Sequence, residues 1–186
     1  TGLVQALGTV EGVSDQNGVR RLKVSGEIKA EDLSNGASVS HSGVCLTVVD
    51  ADFSGTTPMW EVEAVPETLS LTTLGEWSVG RRINLEPSLR LGDELGGHLV
   101  FGHVDGLGEI VSITPEGDSF RVRVAPPAEL KPFFAKKGSV SVDGISLTVA
   151  NTLGNGNFEL AIIPHTWNVT SLGTAKAGDK VHLEVD

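Results

Sequence analysis

The sequence predicts an all-β protein of two tandem homologous six-stranded antiparallel barrels with a few short helices. Two observations carry that expectation. The first is an internal repeat. Gly2-Leu3-Val4-Gln5-Ala6-Leu7-Gly8 returns as Gly102-His103-Val104-Asp105-Gly106-Leu107-Gly108, and Gly43-Val44-Cys45-Leu46-Thr47-Val48 returns as Gly144-Ile145-Ser146-Leu147-Thr148-Val149. Pro66-Glu67-Thr68 returns as Pro164-His165-Thr166. Matching residues stay 98 (66 to 164) to 101 (43 to 144) apart, so whole domains are duplicated rather than the shorter units of a solenoid. The second is a period of two in apolar residues. Leu22 and Val24 alternate with Arg21 and Lys23, Phe120, Val122 and Val124 with Arg121 and Arg123, and Phe158, Leu160 and Ile162 with Glu159 and Ala161.

Taken in order, strands are expected near 3–10, 19–24, 37–42, 45–50, 59–65 and 81–86, with equivalents in the second half. Turn clusters separate them at Asp15-Gln16-Asn17-Gly18, Pro115-Glu116-Gly117-Asp118 and Gly154-Asn155-Gly156. Short helices are expected at Ala30–Leu33, at Pro126–Leu130 and for two turns after Pro66 and Pro164, since proline is tolerated in a first turn. Short strands with regular turns favour closed barrels, which leave no exposed edges. Residues 87–97 lie outside the repeat and read as a linker between a first barrel over 1–86 and a second over 98–186. Each half is large enough for its own core.

Composition narrows the function classes. The net charge of −10, without Lys/Arg clusters, argues against nucleic acid. No apolar run approaches the roughly 20 residues that span a bilayer, and the start does not resemble a secretion signal. The single cysteine fits a reducing, cytoplasmic compartment. Asn168-Val169-Thr170 then matches a glycosylation pattern by accident.

Each chemical candidate has a plainer reading. A free cysteine in an apolar strand, such as Cys45, is more often an inert small hydrophobe than a nucleophile. His98 and His103 lie among glycines without metal-ligand spacing and read as turn residues. Gly154-Asn155-Gly156 is a hairpin rather than a phosphate loop, because no helix follows it. Thr47, Ser146 and Thr148 suit strands, though a hydroxyl at a barrel opening also suits a ligand. Pattern alone stops at a tandem barrel with an unassigned ligand.

Five segments in register carry the chain further. They are Thr1-Gly2-Leu3-Val4, Gly43-Val44-Cys45-Leu46-Thr47-Val48, Gly96-Gly97-His98 with Gly102-His103-Val104-Asp105, Asp143-Gly144-Ile145-Ser146-Leu147-Thr148-Val149, and Ile163-Pro164-His165-Thr166. Together they resemble the riboflavin synthase family along the whole chain. The resemblance implies Greek-key barrels and a dismutation of two 6,7-dimethyl-8-ribityllumazine molecules. A four-carbon unit passes between them, giving riboflavin and 5-amino-6-ribitylamino-2,4-pyrimidinedione. It implies no metal and no other cofactor, since donor and acceptor are the same compound.

Carried onto this chain, the resemblance makes Cys45, His103 and Ser146 the catalytic candidates. Val4, Ser38, Thr47, Ala64, Thr68, Val104, Lys137, Thr148, Ile163, Thr166 and Asp186 become candidates for substrate binding. It also implies a homotrimer, in which the first barrel of one subunit faces the second barrel of its neighbour. Three departures stand out: no Met-Phe precedes Thr1, Phe101 replaces the usual serine or glutamine, and the family's C-terminal helix does not follow Asp186. Were that helix truly absent, a monomer or weak oligomer with little turnover is expected. The alternative is a non-catalytic lumazine- or flavin-binding antenna protein of the same fold, as in luminous bacteria.

Overall fold

The computed structural model describes residues 1–186 and contains two closed six-stranded antiparallel barrels. The first comprises β1 (Ala6–Gln16), β2 (Val19–Ser25), β3 (Ser38–His41), β4 (Val44–Asp52), β5 (Met59–Ala64) and β6 (Arg82–Pro87). The second comprises β7 (Gly106–Glu116), β8 (Ser119–Ala125), β9 (Ser139–Val142), β10 (Ile145–Thr152), β11 (Phe158–Ile162) and β12 (Lys180–Val185). Around the first barrel the order is β1-β2-β5-β4-β3-β6, a Greek-key path, and the second repeats it six strands later. The alternation in sequence is the cause. Trp60, Val62 and Ala64 of β5 point inward, and so do Val122 and Val124 of β8, while their neighbours face out. Each barrel closes over its own core, sixteen buried apolar residues in the first and fourteen in the second.

Short helices follow the two prolines as the sequence predicts: α1 (Pro66–Leu71) and α2 (Pro164–Val169). Ala30–Asp32 forms a 3-10 turn. The turn expected over Pro126–Leu130 instead falls at Lys131–Phe133. There Leu130 N–H donates to Pro127 O and Phe133 N–H to Leu130 O, so tight i→i+3 bonds replace an α-helical start.

The first strand also begins later than expected, at Ala6 rather than residue 3. The preceding arm leaves its own barrel, and Val4 packs against the core of the second. Its repeat partner Val104 packs against the core of the first. The two barrels therefore exchange arms about a pseudo-twofold axis.

Polar bonds cross the same axis in matched pairs. Asn84 Nδ2 donates to Asp143 O and Ser171 Oγ, both at 2.9 Å, and its Oδ1 accepts from Ser171 N at 2.8 Å. His182, its repeat partner, places Nδ1 2.7 Å from Ser42 O, and its Nε2 accepts from Thr73 N at 3.0 Å. That network assigns the neutral tautomer protonated at Nδ1. The β3–β4 and β9–β10 hairpin tips meet between them. A side chain on Gly43 would put Cβ 2.6 Å from Gly144 N, and one on Gly144 would collide equally with Gly43 N. Burial at this junction raises the Asp143 carboxyl above its usual range, against the hydrogen bond that its Oδ1 accepts from the His182 backbone N–H. No helix is long and apolar enough to cross a membrane.

Candidate functional site

The site grows from the outer faces of two equivalent hairpins. In β4, Leu46 and Val48 are buried, so Cys45 and Thr47 turn away from the core. Register places Ser40 opposite Cys45 and Ser38 opposite Thr47, giving four small polar side chains on one face. The second barrel repeats this with Ser141 opposite Ser146 and Ser139 opposite Thr148.

Each hairpin is covered by an exchanged arm. Cys45 N donates to Gly102 O at 2.9 Å, and Ser146 N donates to Gly2 O at 2.8 Å. A side chain on Gly102 would bring Cβ to 2.7 Å from the Cys45 Cβ; on Gly2, to 2.6 Å from that of Ser146. Only glycine lets the arm backbone come this close.

A carboxylate fixes each arm. Glu184 accepts from the backbone N–H groups of Phe101 (2.7 Å), Gly102 (2.8 Å) and His103 (3.0 Å). Glu86, its repeat partner, accepts from Gly2 N at 2.9 Å and Thr1 Oγ1 at 2.6 Å. Charge-assisted bonds of this kind are the strong ones.

The two half-sites differ in chemistry. Ser146 Oγ lies 2.6 Å from His98 Nδ1. Burial lowers the His98 pKa, although Asp186 and Glu184 pull it the other way. The imidazole is therefore neutral near pH 7 and able to take the hydroxyl proton. Cys45 instead borders a cavity of about 330 Å³, whose wall includes Ser40, Glu86, Leu99, Phe101 and Gly102. Two larger clefts, of about 520 and 490 Å³, are lined mainly by charged and polar side chains and contain neither Cys45 nor Ser146.

The remaining candidates divide between the halves. Ser38, Thr47 and Val104 lie with Cys45, and Val4 and Thr148 with Ser146. Thr68 in α1 and Thr166 in α2 are equivalent, each carbonyl accepting from a threonine hydroxyl four residues on. Ala64 points into the first core. Ile163, Lys137 and His103 are exposed, as is Asp186, whose charge acts on His98. Lys137 has a left-handed backbone, φ 69°, and its N–H donates to Val149 O. No three His, Cys, Asp or Glu side chains are grouped closely enough to hold a metal ion.

Sequence reading took His98 for a turn residue and passed over Glu86 and Glu184. The signal was present in the repeat: Leu85-Glu86 and Leu183-Glu184 stand 98 residues apart.

The lumazine binding domain family model matches residues 1–88 and again 101–186. A riboflavin synthase of Brucella abortus is 49% identical over the whole chain, which covers 92% of that protein. One from Mycobacterium tuberculosis is 42% identical, again over the whole chain and 92% of its own length. Among solved structures, LumP complexed with riboflavin superposes with a TM-score of 0.86 at 23% identity, over 100% of this chain and 98% of that one. LumP complexed with 6,7-dimethyl-8-(1'-D-ribityl) lumazine gives 0.82 at 22%, with the same coverage. At such identities the likeness to LumP is one of fold.

Proposed function

Because the chain belongs to the riboflavin synthase family, with two lumazine-binding domains, we propose that it converts two molecules of 6,7-dimethyl-8-ribityllumazine into riboflavin and 5-amino-6-ribitylamino-2,4-pyrimidinedione. The observation that carries this reading is the pair of equivalent but chemically unequal half-sites, Cys45 under Gly102 and Ser146 under Gly2. A dismutation needs such a pair. Two copies of one substrate require two similar seats, yet one copy gives and the other receives the four-carbon unit. Seating both turns a bimolecular encounter into an effectively intramolecular one, worth up to ~7–11 kcal/mol of the barrier.

The roles we assign are these. Hydroxyls of Ser38, Thr47 and Thr68 in the first half, and of Thr148 and Thr166 in the second, hold the ribityl chain and the pyrimidine edge. Val104, Val4 and Ile163 supply apolar contact, Lys137 and Asp186 polar contact at the rim, and Ala64, whose side chain is turned into the first core, only its backbone. One lumazine loses a proton from its 7-methyl group and the other accepts a nucleophile at ring carbon seven. Ser146 is that nucleophile, with neutral His98 taking its proton. His103 carries a proton on the Cys45 side, where an imidazole suits transfer near neutral pH.

The seats that cooperate belong to neighbouring subunits of a homotrimer, first barrel against second, in the cytoplasm. The working division is a first lumazine-binding barrel over 1–86, a linker over 87–97 and a second barrel over 98–186. Identity of 49% to a synthase, against 23% to LumP, favours turnover over a non-catalytic antenna role. The test incubates the chain with 6,7-dimethyl-8-ribityllumazine and no added cofactor. Riboflavin formed at half the molar amount of lumazine consumed supports the proposal, and binding without riboflavin refutes it.

A further inference from the structure

Phe101 is the most exposed of the six phenylalanines. It is 66% exposed, yet its backbone is held by a carboxylate, with its N–H 2.7 Å from Glu184 Oε1. Leaving a phenyl ring in water costs free energy that a serine at the same place would not. The residue at the equivalent place in the first repeat is the polar Thr1. The ring lines the Cys45 cavity together with Leu95, Leu99 and Val100, so that wall is apolar while Ser40 and Cys45 face it. Its other relation is to His103: the rings stack with centroids 6.1 Å apart and planes inclined by 27°. The imidazole thus lies alongside the phenyl, most of whose surface is exposed.

We propose that Phe101 is a specificity and positioning residue of the Cys45 half-site. Its exposed surface stacks on the planar ring system of the bound ligand, bicyclic in lumazine and tricyclic in flavin, and its contact with His103 sets the orientation of that imidazole. The inference rests on the proposed lumazine-dismutating activity and adds an aromatic contact to it. A cavity of about 330 Å³ is large enough for a bicyclic ring system, and sites for such ligands combine apolar walls with a few directed polar groups. Offset stacking is the arrangement aromatic pairs prefer, with ring centroids between about 4.5 and 7 Å. The Glu184 clamp fixes the backbone on both sides of the ring, at Phe101 and at Gly102, so the stack is held ready before the ligand arrives.

The test compares Phe101→Tyr, Phe101→Leu and Phe101→Ser with the parent chain, titrating riboflavin by quenching of its fluorescence. Stacking predicts that the leucine and serine variants bind about two- to tenfold more weakly, the range aromatic pairs contribute, while tyrosine stays within about twofold of the parent. A leucine variant that binds as tightly as the parent overturns the proposal, since an apolar wall would then suffice. The second readout is the His103 ring-proton resonance in NMR, shifted upfield by the phenyl in the parent and relaxing downfield in the leucine and serine variants. An unmoved resonance equally overturns it. Riboflavin formation by the parent chain is scored separately, so failure of the dismutation reading and failure of the stacking inference give different results.

Discussion

Ser146 and Cys45 occupy the same place in two copies of one barrel, yet one presents oxygen and the other sulfur. A serine hydroxyl is a poor nucleophile until a base takes its proton, and in the proposed mechanism His98, 2.6 Å away, is that base. Replacing Ser146 by alanine leaves the backbone bond to Gly2 O intact and is expected to lower kcat for riboflavin formation by about 10²-fold or more. Circular dichroism should report an unchanged fold. Equal kcat in the variant would remove Ser146 from the chemistry.

A second histidine makes the opposite point. His41 is wholly buried, accepts from Trp60 Nε1 at 2.9 Å, and is held neutral by burial, its pKa lowered to about 4. The unfolded chain protonates this imidazole near pH 6.5, so between that pH and about 4 the unfolded state binds more protons than the folded one. Stability is therefore lost as pH falls through that window, by about 3 kcal/mol in all from this group. Urea denaturation at pH 7.5, 5.5 and 4.5 measures the slope, and His41→Gln should flatten it.

At the scale of elements, the hairpin tips do work that their sequences only half disclose. The Ser42-Gly43 and Asp143-Gly144 turns have positive φ throughout and pack backbone to backbone across the axis. Gly144→Ala meets both a strained φ of 76° and a Cβ 2.6 Å from Gly43 N, so it is expected to cost several times the ~1 kcal/mol of an ordinary turn substitution. A fall in Tm of only a degree or two would show that the tips can separate freely.

Most strands were legible because a half-buried strand must alternate, and Leu22, Val24, Phe158 and Leu160 do so plainly. The repeat made Cys45 and Ser146 legible as a pair. The arms were not legible. Val4 and Val104 carry no periodic signal that says which barrel they will cover, because that choice is made by long-range packing. Glu86 and Glu184 escaped notice for a related reason. A lone glutamate at a strand end ordinarily faces solvent, and only the folded arm brings three amide groups to one carboxylate. His98 looked like a turn residue because its partner Ser146 is 48 positions away.

For the whole molecule, two self-contained apolar cores are joined by a junction whose specific bonds are polar, centred on Asn84 and His182. His182→Asn is expected to preserve the junction, because asparagine already performs the mirrored task at position 84. His182→Ala orphans the Thr73 N–H and the Ser42 carbonyl, at about 1–3 kcal/mol per buried group. Calorimetry should show one transition for the parent and for His182→Asn. The Asn84→Ala, His182→Ala double variant should instead unfold in two steps, one for each barrel. A single transition in that variant would mean that the exchanged arms alone keep the halves in step.

The crossing of Asn84 and His182 has an ancestral reading as well. A contact in which each half repeats the other's bonds is what a single-barrel protein makes when it pairs with its own twin. In such a twin, any change in the surface happens on both sides at once, and the two seats stay identical. Fusion into one chain ended that constraint, because each half could now vary alone. Cys45 could diverge from Ser146, and Asn84 from His182, while the geometry that joined them persisted. On this reading, the asymmetry a dismutation demands is a liberty that came with sharing a gene.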